Sequence, residues 1–185
     1  MKYAIGKSSA VFIGEDSAIK VFNLRKKSIK PARGSYKLCW LRETTCLERL
    51  KGKLHFPQLL ESYDDDHLGL RMTTVGESLF DTWPEHNLQL YVDQAHTIAD
   101  TLEATNIQYF YPGMDPNSKS KEYVKFPLSN FCIQDGELSL IDFELANPVG
   151  SKAQEGISER LKSLYDNYNK DHFRQALVNA LTNPR

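Results

Sequence analysis

Two short apolar runs joined by Asp135-Gly136 constrain this 185-residue chain more than any other stretch. Residues 129–134 (Ser-Asn-Phe-Cys-Ile-Gln) and 138–146 (Leu-Ser-Leu-Ile-Asp-Phe-Glu-Leu-Ala) alternate as strands do. An Asp-Gly pair between such runs is a strong two-residue hairpin signal. A hairpin of that length brings Asn130 and Asp142 to one open end, where side chains leave the core and can meet a ligand. An amide oxygen beside a carboxylate is a pair of hard ligands suited to magnesium bridging phosphates. On an ordinary surface hairpin the same two residues would only cap turns.

Composition narrows the class without naming a partner. Apolar residues make up 41% and charged residues 25%, the balance of a globular protein, and the net charge of -1 favours no particular partner. Cys39, Cys46 and Cys132 have neither metal nor redox spacing, which fits a reduced, cytoplasmic setting. The first eight residues lack the apolar core of a signal peptide, and no run is long enough to span a bilayer. The five histidines form no zinc pattern, and the turn at 64–66 lacks the glycine and distal glutamate of a calcium loop.

Residues 3–6, 10–13 and 17–22 read as three strands. In Ser-Ala-Ile-Lys-Val-Phe, alternation puts Ala18, Lys20 and Phe22 on one face, so Lys20 lies among apolar neighbours and needs a partner or ligand. An edge-strand lysine that deters aggregation is the plainer alternative. The helix expected over 36–51 aligns Trp40, Glu43, Leu47 and Leu50, which makes Glu43 the partner for Lys20; Glu48 falls with Thr44 on a more polar face. Between strand and helix, Arg25, Lys26, Lys27, Lys30, Arg33, Lys37 and Arg42 occur without one acid, as a solvated loop or an anion-binding surface. Strands are expected at 58–63 and 67–72, a long amphipathic helix at 87–105, a strand at 107–111, and two closing helices near 155–168 and 170–181.

Taken together, Ala-Ile-Lys20, Arg-Glu43-Thr-Thr and Asn130 … Ile-Asp142-Phe-Glu resemble the protein-kinase-like superfamily. The resemblance covers about 6–146 and implies an α+β, two-lobed fold. Its small antiparallel-sheet lobe with one C-helix would span 1–72, a hinge 73–80, and a reduced helical lobe 81–185. It implies ATP and Mg²⁺ as cofactors. Gly6, Ser8 and Ser9 would lie in a degenerate phosphate loop, and Lys20 would hold phosphates and be oriented by Glu43. Thr73 and Thr74 would face the adenine, with Arg71 or Met72 behind it, and Asn130 and Asp142 would hold the metal.

Two departures matter. Glu144 stands where the metal motif has glycine, a form more familiar from small-molecule and lipopolysaccharide-type kinases, and there is no Ala-Pro-Glu motif. No aspartate precedes Asn130 at the family spacing. If 112–123 is an inserted loop, Asp115 takes the place of the base, with Lys119, Lys121 and Lys125 nearby. The expected activity is phosphoryl transfer from ATP to a hydroxyl of a protein Ser/Thr or a small molecule. Nucleic acid is not an expected partner. Two alternatives stay open: a pseudokinase that binds nucleotide without transferring phosphate, and an anion-binding interaction protein using 25–42.

Overall fold

A computed structural model describes residues 2–5, 9–22, 36–65, 67–79, 81, 88–110, 128–154 and 159–182. Its first part is a five-stranded antiparallel sheet of β1 (Lys2–Ile5), β2 (Ser9–Ile13), β3 (Ser17–Phe22), β4 (Leu59–Tyr63) and β5 (Gly69–Thr73), in the order β1-β2-β3-β5-β4. Lys20 therefore lies on an interior strand, not an edge, opposite Val11 on one side and Leu70 on the other. Helix α1 (Tyr36–Arg49) packs on β3, β4 and β5, and its Trp40 indole donates to the Gly69 carbonyl at 2.9 Å.

After β5 the chain enters β6 (Glu77–Ser78), which pairs with the hairpin β8 (Phe131–Gln134) and β9 (Glu137–Leu140). Asp135 (φ 52°) and Gly136 (φ 82°) both occupy the left-handed region, as a type I′ turn demands. The hairpin rests against α2 (Leu88–Ala104), which buries Tyr91, Ala95, Ile98, Ala99 and Leu102 as one stripe. Asn106, at φ 54°, ends the helical path. Next, β7 (Ile107–Gln108) pairs with β10 (Asn147–Pro148), and the chain closes with α3 (Glu159–Asp166) and α4 (Lys170–Thr182). The Asn169 side chain accepts the His172 N–H at 2.8 Å and caps α4, which packs on α2.

One apolar core runs through both parts. Phe22, Leu47, Leu50 and Leu70 belong to the same cluster as Leu102, Phe131, Phe143 and Phe173, each burial contributing roughly 1.5–3 kcal/mol. The three cysteines are buried and unpaired. No helix of the described residues is long and apolar enough to cross a membrane.

Several expectations need correction. Ser129 and Asn130 belong to a 3₁₀ turn (Leu128–Asn130), and β9 stops at Leu140 because Asp142 has φ 66°, which no strand accommodates. Of the described residues in the strand expected over 107–111, Ile107 and Gln108 pair, opposite Pro148 and Asn147; the ladder would have to continue along Ala146 and Leu145, which lie in a turn where the Ala146 N–H donates to the Phe143 carbonyl at 3.0 Å. Thr44 is buried rather than on a polar face, and Arg42 is wholly buried rather than part of a solvated basic surface. The cause is a second layer: β10 and the 3₁₀ turn Lys152–Gln154 pack on α1 from the side away from the sheet. Lys37 remains exposed, and 25–33 lie outside the described residues.

Candidate functional site

A cleft of about 440 Å³ opens between the large sheet and the β8–β9 hairpin. Ala18 and Met72, paired across β3 and β5, line its sheet side; Cys132 and Ile141 line the hairpin side, and Thr74, Val75 and Gly76 its linking edge. Met72 thus faces the cleft, while Arg71 points away and pairs with Glu61 at 3.4 Å. Gly76 is required at that edge. It has φ 86°, and a Cβ there would lie 1.9 Å from the Ile133 carbonyl oxygen. Thr73 and Thr74 line the cleft too, but Thr73 Oγ1 accepts the Gln58 N–H at 2.9 Å and Thr74 Oγ1 donates to the Glu15 carbonyl at 3.2 Å. Their hydroxyls brace the linker, which leaves backbone groups to read a ligand.

Lys20 is the centre of the polar wall. Its alternation with Ala18 and Phe22 turns it inward, leaving it 4% exposed. Nζ donates to Glu43 Oε2 at 2.6 Å and to Asp142 Oδ1 at 3.1 Å, and lies 3.1 Å from Glu144 Oε1. Burial alone would depress the ammonium, but Asp142, Glu43 and Glu144 outweigh it and hold Lys20 protonated, well above its ordinary range. Glu43 is 2% exposed. Burial pushes its carboxyl up to about 7, with Lys20 pulling the other way and Asp142 and Glu144 adding repulsion. The two shifts describe one situation: the Lys20 ammonium is shared among three carboxylates that also repel one another.

Asp142 is the most open of the three, its side chain 37% exposed toward the cleft. The turn that presents it is fixed from both sides. Ile141 N–H donates to the Asn130 carbonyl at 2.9 Å, Leu140 N–H to the His55 carbonyl at 2.9 Å, and Phe143 is fully buried against Phe56 and Tyr109. The Asn130 amide donates through Nδ2 to the Tyr109 hydroxyl at 2.9 Å, and that hydroxyl donates to the Ile141 carbonyl at 2.7 Å. With Nδ2 so engaged, the amide oxygen is the atom left to serve as a ligand.

Of the residues singled out in the sequence, Ser9, Lys20, Glu43, Thr73, Thr74, Asn130 and Asp142 all line this cleft. Gly6, Ser8, Asp115, Lys119, Lys121 and Lys125 lie outside the described residues. Two members of the site had been missed. Glu144, 5% exposed, pairs with Lys20 and accepts the Ser9 hydroxyl at 2.9 Å. Its signal was present: a charge inside Phe-Glu-Leu-Ala must find a partner if the run is buried. Tyr109 orients Asn130 and packs edge-on against Phe143, centroids 5.3 Å apart. Nothing in the local pattern marked it beyond an aromatic at a strand end.

The donor set fits a hard divalent cation. One carboxylate oxygen from each of Glu43, Asp142 and Glu144 lies within 4.8 Å of the others, and the Asn130 amide lines the same cleft; the repulsion among the carboxylates is what a cation would offset. The same wall offers Lys20 to an anion. A cleft holding one cation-binding and one anion-binding group beside an apolar slot is suited to a metal-bound polyphosphate carrying a flat base.

No family model matches the sequence, and no curated protein matches it. Among solved structures the chain is similar to WbdD in co-crystal with the kinase inhibitor LY294002, at a TM-score of 0.54 and 15% identity. The match covers 80% of this chain and 33% of that one, so the chain spans about a third of the length of its structural relative. At that identity the likeness concerns architecture alone, and the architecture is protein-kinase-like.

Proposed function

We propose that the cleft binds ATP with Mg²⁺ and that the protein transfers the terminal phosphoryl group to a hydroxyl, on a protein Ser/Thr or a small molecule. The observation that carries this reading is the meeting of Lys20, Glu43, Asn130 and Asp142, from four separate elements, on one wall of one cleft. Lys20 holds phosphate oxygens, and Glu43 fixes its ammonium. The oxygens of Asn130 and Asp142 hold Mg²⁺, which supplies charge neutralisation of the phosphates when bound. The linker backbone at 74–76 reads the base, and Ser9 at the head of β2 borders the phosphates with Gly6 and Ser8. Asp115 is the proposed general base. Phosphoryl transfer asks chiefly for positioning and charge stabilisation, which such a wall can provide.

Calorimetry with ATP and Mg²⁺, followed by a labelled-phosphate transfer assay, tests the reading. Wild type is expected to bind and transfer, and Lys20→Met to weaken binding by at least about ten-fold, or about 1.4 kcal/mol. Absence of nucleotide affinity in the wild type overturns it. A pseudokinase is the second reading, and a specific observation favours it: among the described residues the carboxylates of the cleft are Glu43, Asp142 and Glu144, all committed to Lys20. Binding without transfer to any acceptor, water included, would select it.

A further inference from the structure

A second cavity, of about 500 Å³, shares the linker with the cleft: Thr74 and Val75 line both, and the rest of its lining comes from 52–58 and 134–139. Ser139 is the residue that marks it. It is 7% exposed and stands opposite Cys132 in the hairpin, on the face that Cys132 presents to the cleft. Among the described residues its hydroxyl has no hydrogen-bond partner, and an idle hydroxyl at that burial is costly. Its oxygen is not sealed within the core but reaches the cavity. The remaining polar groups are mostly acceptors. His55, at φ 69°, places Nδ1 2.9 Å from the Leu138 carbonyl, so in the neutral ring Nδ1 carries the proton and Nε2 is left to accept. Asp135 and Glu137, both exposed, add two carboxylates against the ammonium of Lys53. Leu54, 68% exposed, and Phe56 supply apolar surface.

We propose that this cavity is a second ligand site, taking a small organic ammonium ion with an apolar body, and that its occupant alters nucleotide affinity through the shared linker. The ammonium finds acceptors in Ser139 Oγ, His55 Nε2 and the two carboxylates, and the body covers Leu54 and Phe56. A cavity of this size suits an amine built on two fused rings. Phe56 gives a second link to the cleft, because its ring packs against Phe143, next to Asp142, with centroids 6.2 Å apart. The coupling rests on the nucleotide-binding reading above; the site itself does not.

Tryptamine serves as the probe, with indole-3-acetate, the same ring carrying the opposite charge, as its control. Calorimetric titration of the full chain without nucleotide should show saturable tryptamine binding, with indole-3-acetate weaker by at least about ten-fold. The paired substitutions Asp135→Asn and Glu137→Gln keep the turn, since Asn-Gly suits it equally, and should weaken tryptamine by at least about ten-fold while ATP affinity, measured without tryptamine, is unchanged. Ser139→Ala should weaken tryptamine by about five-fold with no loss of thermal stability, because no hydrogen bond of the free protein is given up. Saturating tryptamine should shift ATP affinity by a finite factor that stops growing as more is added, unlike competition for the cleft. Absence of saturable binding, equal binding of indole-3-acetate, or tryptamine binding indifferent to the paired substitutions overturns the site. An ATP affinity unchanged at saturating tryptamine overturns the coupling. Absence of ATP affinity altogether removes the nucleotide-binding reading and the coupling with it, and the tryptamine titration still decides the site.

Discussion

Two buried polar clusters in this chain are built to opposite rules. Behind α1, Asn147, 4% exposed, donates to Gln108 Oε1 at 2.5 Å and accepts from Gln154 Nε2 at 2.9 Å. Gln154 Oε1 takes the Gly150 N–H at 3.0 Å, and Gln108 Nε2 reaches the Tyr165 carbonyl at 3.4 Å. Each amide group of these three side chains answers another group, and all three side chains are neutral. In the cleft, Glu43, Asp142 and Glu144 share one ammonium, and one of the three stays open to solvent. A closed neutral network stabilises a fold; an unbalanced one held in place by the fold is poised for something that is absent.

The largest expected effect comes from removing the Lys20 ammonium. Lys20→Met leaves three carboxylates facing each other and should destabilise the chain by about 3–5 kcal/mol in urea unfolding while weakening nucleotide binding by at least about ten-fold. A variant as stable as wild type would mean that the cluster is not charged as described. Asp142→Asn removes the most exposed carboxylate. Transfer should fall by about 10²–10³-fold with stability little changed, because repulsion inside the cluster is relieved. Equal losses of stability and transfer would instead make Asp142 a structural member, like Asn147.

The pH dependence follows from Glu43, raised from 4.5 to about 7. Between those values the folded chain keeps a proton that the unfolded chain has released. The stability from this group is full below about pH 4.5 and is lost as pH rises to about 7, by roughly 3 kcal/mol, levelling off above. Glu43→Gln should flatten that limb. Added Mg²⁺ should raise the melting temperature more at about pH 8 than at about pH 5.5, where protons already supply the missing charge. The smallest effect belongs to the neutral cluster. Asn147→Ala strands Gln108 and Gln154 and should cost about 1–3 kcal/mol at any pH, with nucleotide affinity unchanged. A pH-dependent loss there would erase the distinction between the two clusters.

How much of this was legible in the sequence depended on how local its cause is. The Asp135-Gly136 turn, the inward face of Lys20 and the apolar stripe that carries Glu43 are set by periods of two and 3.6 residues, and each was readable before any contact was known. The burial of Arg42 and Thr44 was not, because it is imposed by residues 147–154, more than a hundred positions downstream, returning over a helix whose own pattern shows only one apolar face. Glu144 was legible only as a charge in an apolar run that needs a partner; which partners it meets is set by the backward turn at Asp142 and by Ser9 across the cleft. Strand pairing could be expected from alternation, yet Asn130 fell in a 3₁₀ turn, since alternation says nothing about where a ladder runs out of partners.

Gly76 leaves the linker no slack. Backbone presses on backbone there, so the span of the cleft is set at a fulcrum that no side chain can pad or trim. Even alanine at this position would act as a wedge, forcing the linker and the strand that carries Ile133 apart at the rim of the cleft.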